Sequence, residues 1–127
     1  MKKQLKKNLI ERFSRQIVLK DIGILGQKKI LSAKVLVVGI GGLGCPVVEF
    51  LTRAGIGSLG IVDYDKVSLS NLHRQSLYEK SDVGKSKVLI ANKILRRINP
   101  HTKIQSYNLK LNNINFKKII NKYDYIV

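Results

Sequence analysis

Within residues 63–75, DYDKVSLSNLHRQ, the chain gathers two carboxylates, Asp63 and Asp65, an amide, Asn71, and a guanidinium, Arg74; Lys87 follows shortly after. This set suits a nucleoside triphosphate. A carboxylate accepts hydrogen bonds from ribose hydroxyls, while cations beside it hold the β- and γ-phosphates and stabilise a leaving pyrophosphate. A plain dehydrogenase needs the first carboxylate for its ribose but not an Asn, an Arg and a Lys converging on phosphates. Asp65 is equally suited to hydrogen-bonding the loop backbone.

The matching feature lies upstream. Residues 35–44, VLVVGIGGLG, read as a short buried strand running into a glycine turn, G-x-G-x-x-G, at Gly39, Gly41 and Gly44. Gly39 permits the tight turn, Gly41 lets a phosphate approach the backbone, and Gly44 lets the next helix pack closely on the strand. Pro46 suits a first helical turn, where its missing N–H has no intrahelical acceptor. Asp63 closes the next apolar run about 20 residues on, as a dinucleotide-type fingerprint requires. The helix N-terminus then offers free N–H groups and a partial positive charge to an anion.

The elements that position these residues follow from periodicity. Helices are expected at 8–16 and 22–32, the second with an apolar face of Ile22, Leu25, Ile30 and Leu31. Strand 34–38, continuously apolar, is expected to be buried on both faces. A helix at 43–54 stops at Gly55 and Gly57, and a strand follows at 58–63. Residues 64–83 form a long polar loop of the functional kind. A helix over 84–98, with Ser81 and Asp82 as candidate caps and Val88, Ala91, Leu95 and Ile98 inward, ends at Asn99-Pro100. A strand at 103–109, a helix at 114–121 with Phe116, Ile119 and Ile120 inward, and a fourth strand in YDYIV complete the series.

Alternating strands and helices predict an α/β fold: a Rossmann-like parallel sheet with flanking helices, incomplete at its C-terminal end. Residues 1–32 form an N-terminal helical segment, and 33–127 a truncated nucleotide-binding domain. Because the chain stops inside an apparent strand, it is expected to be a fragment of a longer protein or a truncated product.

Composition narrows the classes. The 127 residues suit one domain. No apolar run reaches transmembrane length, and the basic N-terminus lacks a signal peptide's apolar core. A cytoplasmic location is the expectation. The one cysteine, Cys45, excludes a disulfide framework and a cysteine-based metal site within these residues. It reads as a small residue at a tight helix start. His73 and His101 show no metal-ligand pattern. The net charge of +16 comes from dispersed lysines accompanied by many Ile and Asn residues. It reads as compositional bias with weak nonspecific polyanion binding, not as a specific nucleic-acid site.

The segments GxGGLGCP, DxDxVxxSNLxRQ, VGKSK and INP, with RFSRQI at 12–17, resemble the adenylyltransferase family that activates ubiquitin-like proteins, of MoeB, ThiF and HesA type. The resemblance covers residues 11–127, and its SNLxRQ segment is the most specific part. It implies ATP-dependent adenylation of the C-terminal glycine of a ubiquitin-like sulfur-carrier protein ending in Gly-Gly, with ATP and magnesium as cofactors. It places Gly41 and Gly42 against the phosphates and Asp63 on the ribose. Asn71, Arg74 and Lys87 contact the phosphates, and Arg15 reaches across a homodimer interface into the partner's site. Gln75 belongs to the motif without a defined role. Family members carry their magnesium aspartate, zinc cysteines and carrier-gripping surface beyond the last residue here. Two other readings remain: an NAD- or FAD-binding oxidoreductase domain, and a noncatalytic basic module or inactive fragment.

Overall fold

The computed structural model describes residues 4–127; the first three residues of the expected N-terminal segment lie outside the described residues. Four strands form one parallel sheet in the order β3-β2-β1-β4. They are β1 (Lys34–Val38), β2 (Ser58–Val62), β3 (Lys103–Tyr107) and β4 (Tyr125–Ile126). The register runs Val35 against Leu59 and Leu59 against Ile104 on one side, and Val35 against Tyr125 on the other.

Successive strand residues face opposite ways, so the apolar runs feed two cores. Val35, Val37, Leu59, Ile61 and Ile104 point to the face covered by α4 (Gly44–Ala54) and α5 (Lys87–Ile98). There they meet Cys45, Val48, Val88, Ala91 and Leu95, all buried. Leu36 and Val62 point to the other face and meet Ile119 of α6 (Asn115–Ile120). β1 is buried only at its three central residues; Val38 is 43% exposed.

The N-terminal segment forms α1 (Lys7–Arg12), α2 (Ser14–Ile17) and α3 (Gly23–Ser32). The helix expected over 8–16 therefore breaks at Phe13, whose ring is buried against Gly55. Gly55 ends α4 in the left-handed region (φ 91°), and a Cβ there would run into that ring. The apolar stripe expected on α3 does not carry its packing. Leu25 is exposed, and the buried residue is Gln27. Its amide donates to the Ala54 carbonyl (3.1 Å) and its oxygen accepts from Gln16 (2.7 Å). The exposed carbonyl end of α4 is what makes a polar residue worth burying there.

Three further boundaries differ from expectation. α5 starts at Lys87, not near 84, because Gly84 sits at φ 86° and closes a turn. Ser81 and Asp82 lie in a 3₁₀ turn, Lys80–Asp82, where Asp82 accepts from the Glu79 N–H (3.0 Å); neither caps α5. β3 ends at Tyr107. In α6, Phe116 faces solvent at 39% exposure and Ile120 is half-buried, leaving Ile119 as the buried residue.

Candidate functional site

The glycine turn joins β1 to α4 at the carboxyl end of the sheet, the end where parallel α/β folds bind ligands. Gly39 takes φ 91° and donates to the Val62 carbonyl (2.7 Å), tying the turn to β2. A Cβ on Gly44 would collide with the Gly39 carbonyl, so the helix can start this close to the strand only with glycine there. Pro46 is the third residue of α4, in the first turn where a missing N–H is tolerated, while the Cys45 N–H donates to the Gly41 carbonyl (2.9 Å).

Asp63 follows β2 directly and is 9% exposed. One carboxylate oxygen accepts from the Ile40 N–H in the turn and the other from the Asp65 N–H, each at 2.8 Å. The residue expected on the ribose thus also clamps the glycine turn to the following loop. Each oxygen keeps a further acceptor position for a ligand hydroxyl.

Asp65 lies 3.7 Å from the Lys87 ammonium. Lys87 is nearly enclosed, with 6% of its side chain exposed, while Asp65 is half exposed. A buried ammonium needs such a partner. Asn71 spends its side-chain oxygen locally, accepting from the Ser68 N–H (3.0 Å) and closing the 3₁₀ turn Leu69–Asn71. Its Nδ2 hydrogens remain as the donors it can offer a ligand.

Arg74 is exposed and leans over the turn. Its Cδ and Cγ lie 3.5–3.6 Å from where a Gly42 Cβ would be, and one guanidinium nitrogen donates to the Ser70 carbonyl (2.9 Å). Gln75 stands beside Gly41. Its Nε2 is 3.7 Å from that residue's Cβ position, and it is 4% exposed with its Oε1 enclosed and unpartnered. Gly41, Gly42, Arg74 and Gln75 are therefore in one place.

Arg15 is not brought there. It sits exposed on α2, and its neighbour Gln16 bonds the Ala54 carbonyl at the far end of α4 (3.1 Å). Eleven residues of helix separate that end from the glycine turn, about 16 Å at 1.5 Å per residue.

Two groups escaped the sequence reading. Tyr78 is buried, and its hydroxyl donates to the Ile40 carbonyl (2.8 Å), so it holds the turn from beneath. Burial pushes its hydroxyl well above the usual tyrosine range. The visible signal was an apolar pair, Leu77-Tyr78, inside a polar loop. Leu109 and Leu111 were the other omission. With Val38, Val62, Asp63 and Tyr64 they line a cleft of about 350 Å³ beside Gly39. Cys45 is fully buried, with its Sγ 3.6 Å from the Ile40 carbonyl, and burial raises its thiol pKa. That environment disfavours a thiolate nucleophile.

A parallel sheet, a glycine turn before a helix, and a buried acid at the end of the next strand define a Rossmann-like α/β fold. The ThiF family model matches residues 13–127, and the chain belongs to the ThiF family. It is 43% identical over 121 residues to a sulfur carrier protein adenylyltransferase of Thermus thermophilus, covering 95% of this chain and 45% of that protein. It is 49% identical over 117 residues to the adenylyltransferase and sulfurtransferase MOCS3 of Xenopus laevis, covering 92% of this chain and 26% of that one. Among solved structures it resembles the E. coli tRNA N6-threonylcarbamoyladenosine dehydratase TcdA in complex with ATP. That match has a TM-score of 0.89 and 27% identity over 98% of this chain and 51% of the other. E. coli MccB with ATP gives 0.80 and 29%, over 91% and 36%. The chain spans less than half the length of these two curated relatives.

Proposed function

We propose that this chain supplies the nucleotide-binding part of a cytoplasmic, ATP-dependent adenylyltransferase that activates the C-terminal glycine of a ubiquitin-like sulfur-carrier protein. The observation that carries the reading is the convergence of Arg74 and Gln75 on Gly41 and Gly42, at the N-terminal, partially positive end of α4. The names of the relatives and the ATP in two structural neighbours support it.

In this reading the adenosine lies in the cleft lined by Val38, Leu109 and Leu111, and Asp63 accepts from the ribose. Gly41 and Gly42 admit the phosphates. Arg74, Asn71 and Lys87 donate to them, with Lys87 leaving Asp65 as it does so. The carrier's terminal carboxylate oxygen attacks the α-phosphorus. That O–P bond forms as the bond to the bridging β-phosphate oxygen breaks, giving an acyl-adenylate and pyrophosphate. Arg74 stabilises the charge that builds on the departing group. Magnesium would neutralise part of the phosphate charge when bound. Among the described residues no three metal-ligating side chains stand together, and Asp63 already serves two N–H groups.

Arg74→Ala is expected to lower ATP–pyrophosphate exchange by about 10²-fold or more. The exposed position of Arg74 means the urea midpoint should stay put. Exchange at the native rate would overturn the assignment. An oxidoreductase would instead bind NADH more tightly than ATP, and the Asn-Leu-His-Arg-Gln run speaks against that.

The protein acts as a homodimer in this reading. The distance of Arg15 from its own glycine turn, and the outward apolar face of α4, support this. Pro46, Val47, Phe50 and Leu51 line an open hollow of about 490 Å³, and Phe50 is 65% exposed. Mixing an Arg15→Ala chain with an Arg74→Ala chain should restore part of the exchange activity. Recovery no greater than the sum of the two inactive variants would exclude a shared site.

A further inference from the structure

A further cleft lies on the α6 face of the sheet. It has a volume of about 560 Å³ and extends from the starts of β1, β2 and β3 along β3 to its last residue, Tyr107. Lys34, Lys103 and Lys122 line it, with Tyr107 and Tyr123. Arg96, on α5 at the opposite face, donates to the Ile104 carbonyl (3.4 Å) and does not line the cleft. No lining residue is acidic. The nearest acid in sequence, Asp124, has one oxygen taken by the Lys34 N–H at 2.9 Å.

The charge around this cleft is not balanced by its surroundings. From Val83 to Tyr123 the chain contains no Asp or Glu. The ion pairs found among the described residues are Arg53–Glu49, Lys85–Asp82 and Lys87–Asp65. None involves Lys34, Lys103 or Lys122, and all three of these are exposed. Asp124, at the cleft's edge, is the one carboxylate placed against these lysines, and it forms no ion pair with them.

The two tyrosines give the cleft a second character. Their rings meet edge to face with centroids 6.5 Å apart, and their hydroxyls are 3.0 Å apart. Tyr123 lies over Gly60, where a Cβ would collide with its hydroxyl. The pair is thus fixed on the open side of the sheet. Lysines around ordered aromatic rings suit single-stranded nucleic acid, with phosphates on the cations and a base against a ring. A protein partner fits less well, since lysine is depleted at the centres of protein interfaces.

We propose that the cleft between the starts of β2, β3 and the end of α6 binds the backbone of a single-stranded nucleic acid through Lys34, Lys103 and Lys122. Lys34, at the start of β1, is about 16 Å from the glycine turn, the length of a five-residue strand, whereas Tyr107 reaches the Asp63 end of the sheet, its carbonyl accepting from the Asp63 N–H (3.2 Å). The site stands or falls independently of the proposed adenylation.

The test is titration of a fluorescein-labelled oligouridine of about 12 nucleotides, followed by anisotropy at several salt concentrations, with the protein at its natural length. Lys34→Gln/Lys103→Gln/Lys122→Gln is compared with Lys20→Gln/Lys29→Gln/Lys80→Gln, which removes the same charge from exposed sites elsewhere. The cleft variant should weaken binding roughly tenfold or more. Its slope of log K against log salt should fall by about 2, since each single-strand phosphate contact contributes about 0.7. The control should shift affinity less than threefold and keep the slope. Equal losses in both variants, or no binding by the native protein, would overturn the proposal by leaving only overall charge. Equal competition by oligoglutamate or by inorganic triphosphate would overturn it in favour of an acidic peptide or a small anion. Circular dichroism of each variant separates lost binding from lost folding.

Discussion

On one face of the sheet α4 and α5 seal a continuous apolar layer from Val35 to Ile104; on the other, Ile119 alone among α6 side chains is buried, over Leu36 and Val62. The difference follows from helix length and spacing. α4 and α5 have eleven and twelve residues, enough for three turns of inward side chains, whereas α6 has six. The crowded face fixes the glycine turn, because Cys45 and Val48 of the helix it feeds are locked in that layer. The thin face leaves β3 and the tyrosine pair accessible. A rigid layer therefore holds the glycine turn, and a loosely covered layer leaves the cleft along β3 open.

Four measurements sharpen this contrast. Gly44→Ala should do the most damage, about 3 kcal/mol or more, because its Cβ meets backbone and not a yielding side chain. Urea denaturation would show it; a near-native midpoint would mean that the turn is looser than its contacts imply. Leu95→Ala, in the crowded face, should cost about 3 kcal/mol. Ile119→Ala, under the thin face, should cost about 2 kcal/mol, since the site can collapse or admit water. Equal costs would erase the distinction between the faces.

Tyr78→Phe should cost about 1 kcal/mol by removing the hydrogen bond to Ile40. It also has a pH signature. Burial raises the folded-state pKa of Tyr78, so the neutral form is favoured in the fold. Its contribution is fully present below the unfolded tyrosine value near about 10. Above that pH the unfolded chain releases the proton first, and stability falls as pH rises toward the folded value. The native protein should therefore lose stability more steeply above about pH 10 than Tyr78→Phe does. Parallel curves would show that Tyr78 ionises as it does in water.

Much of the architecture was legible in the residues themselves. Val35–Val38 followed by spaced glycines announced β1 and its turn, and Gly55 marked the end of α4. The boundary of α5 was not legible, because the positive φ of Gly84 is set by the turn it closes and not by its residue type alone. Phe116 looked inward by spacing, yet it stays 39% exposed and outside the cluster of Leu36, Val62 and Ile119. In the candidate site, Asp63 and Arg74 stood out by type and position. The use of the Asn71 oxygen within its own turn, and of both Asp63 oxygens on N–H groups, was hidden. Those partners are set by loop geometry that composition does not encode.

The sequence by itself determined the strand–turn–helix unit and the residue types available for phosphate. Backbone sterics and periodicity are local properties, and glycine, proline and apolar spacing express them directly. Only the tertiary structure decided that Arg74 and Gln75 come to Gly42 and Gly41 and that Arg15 stays at the other end of α4. It also decided that Lys34, Lys103 and Lys122, up to 88 positions apart in sequence, share one cleft. Parallel pairing brings distant segments into register, and no local preference reveals which charges that pairing will place side by side.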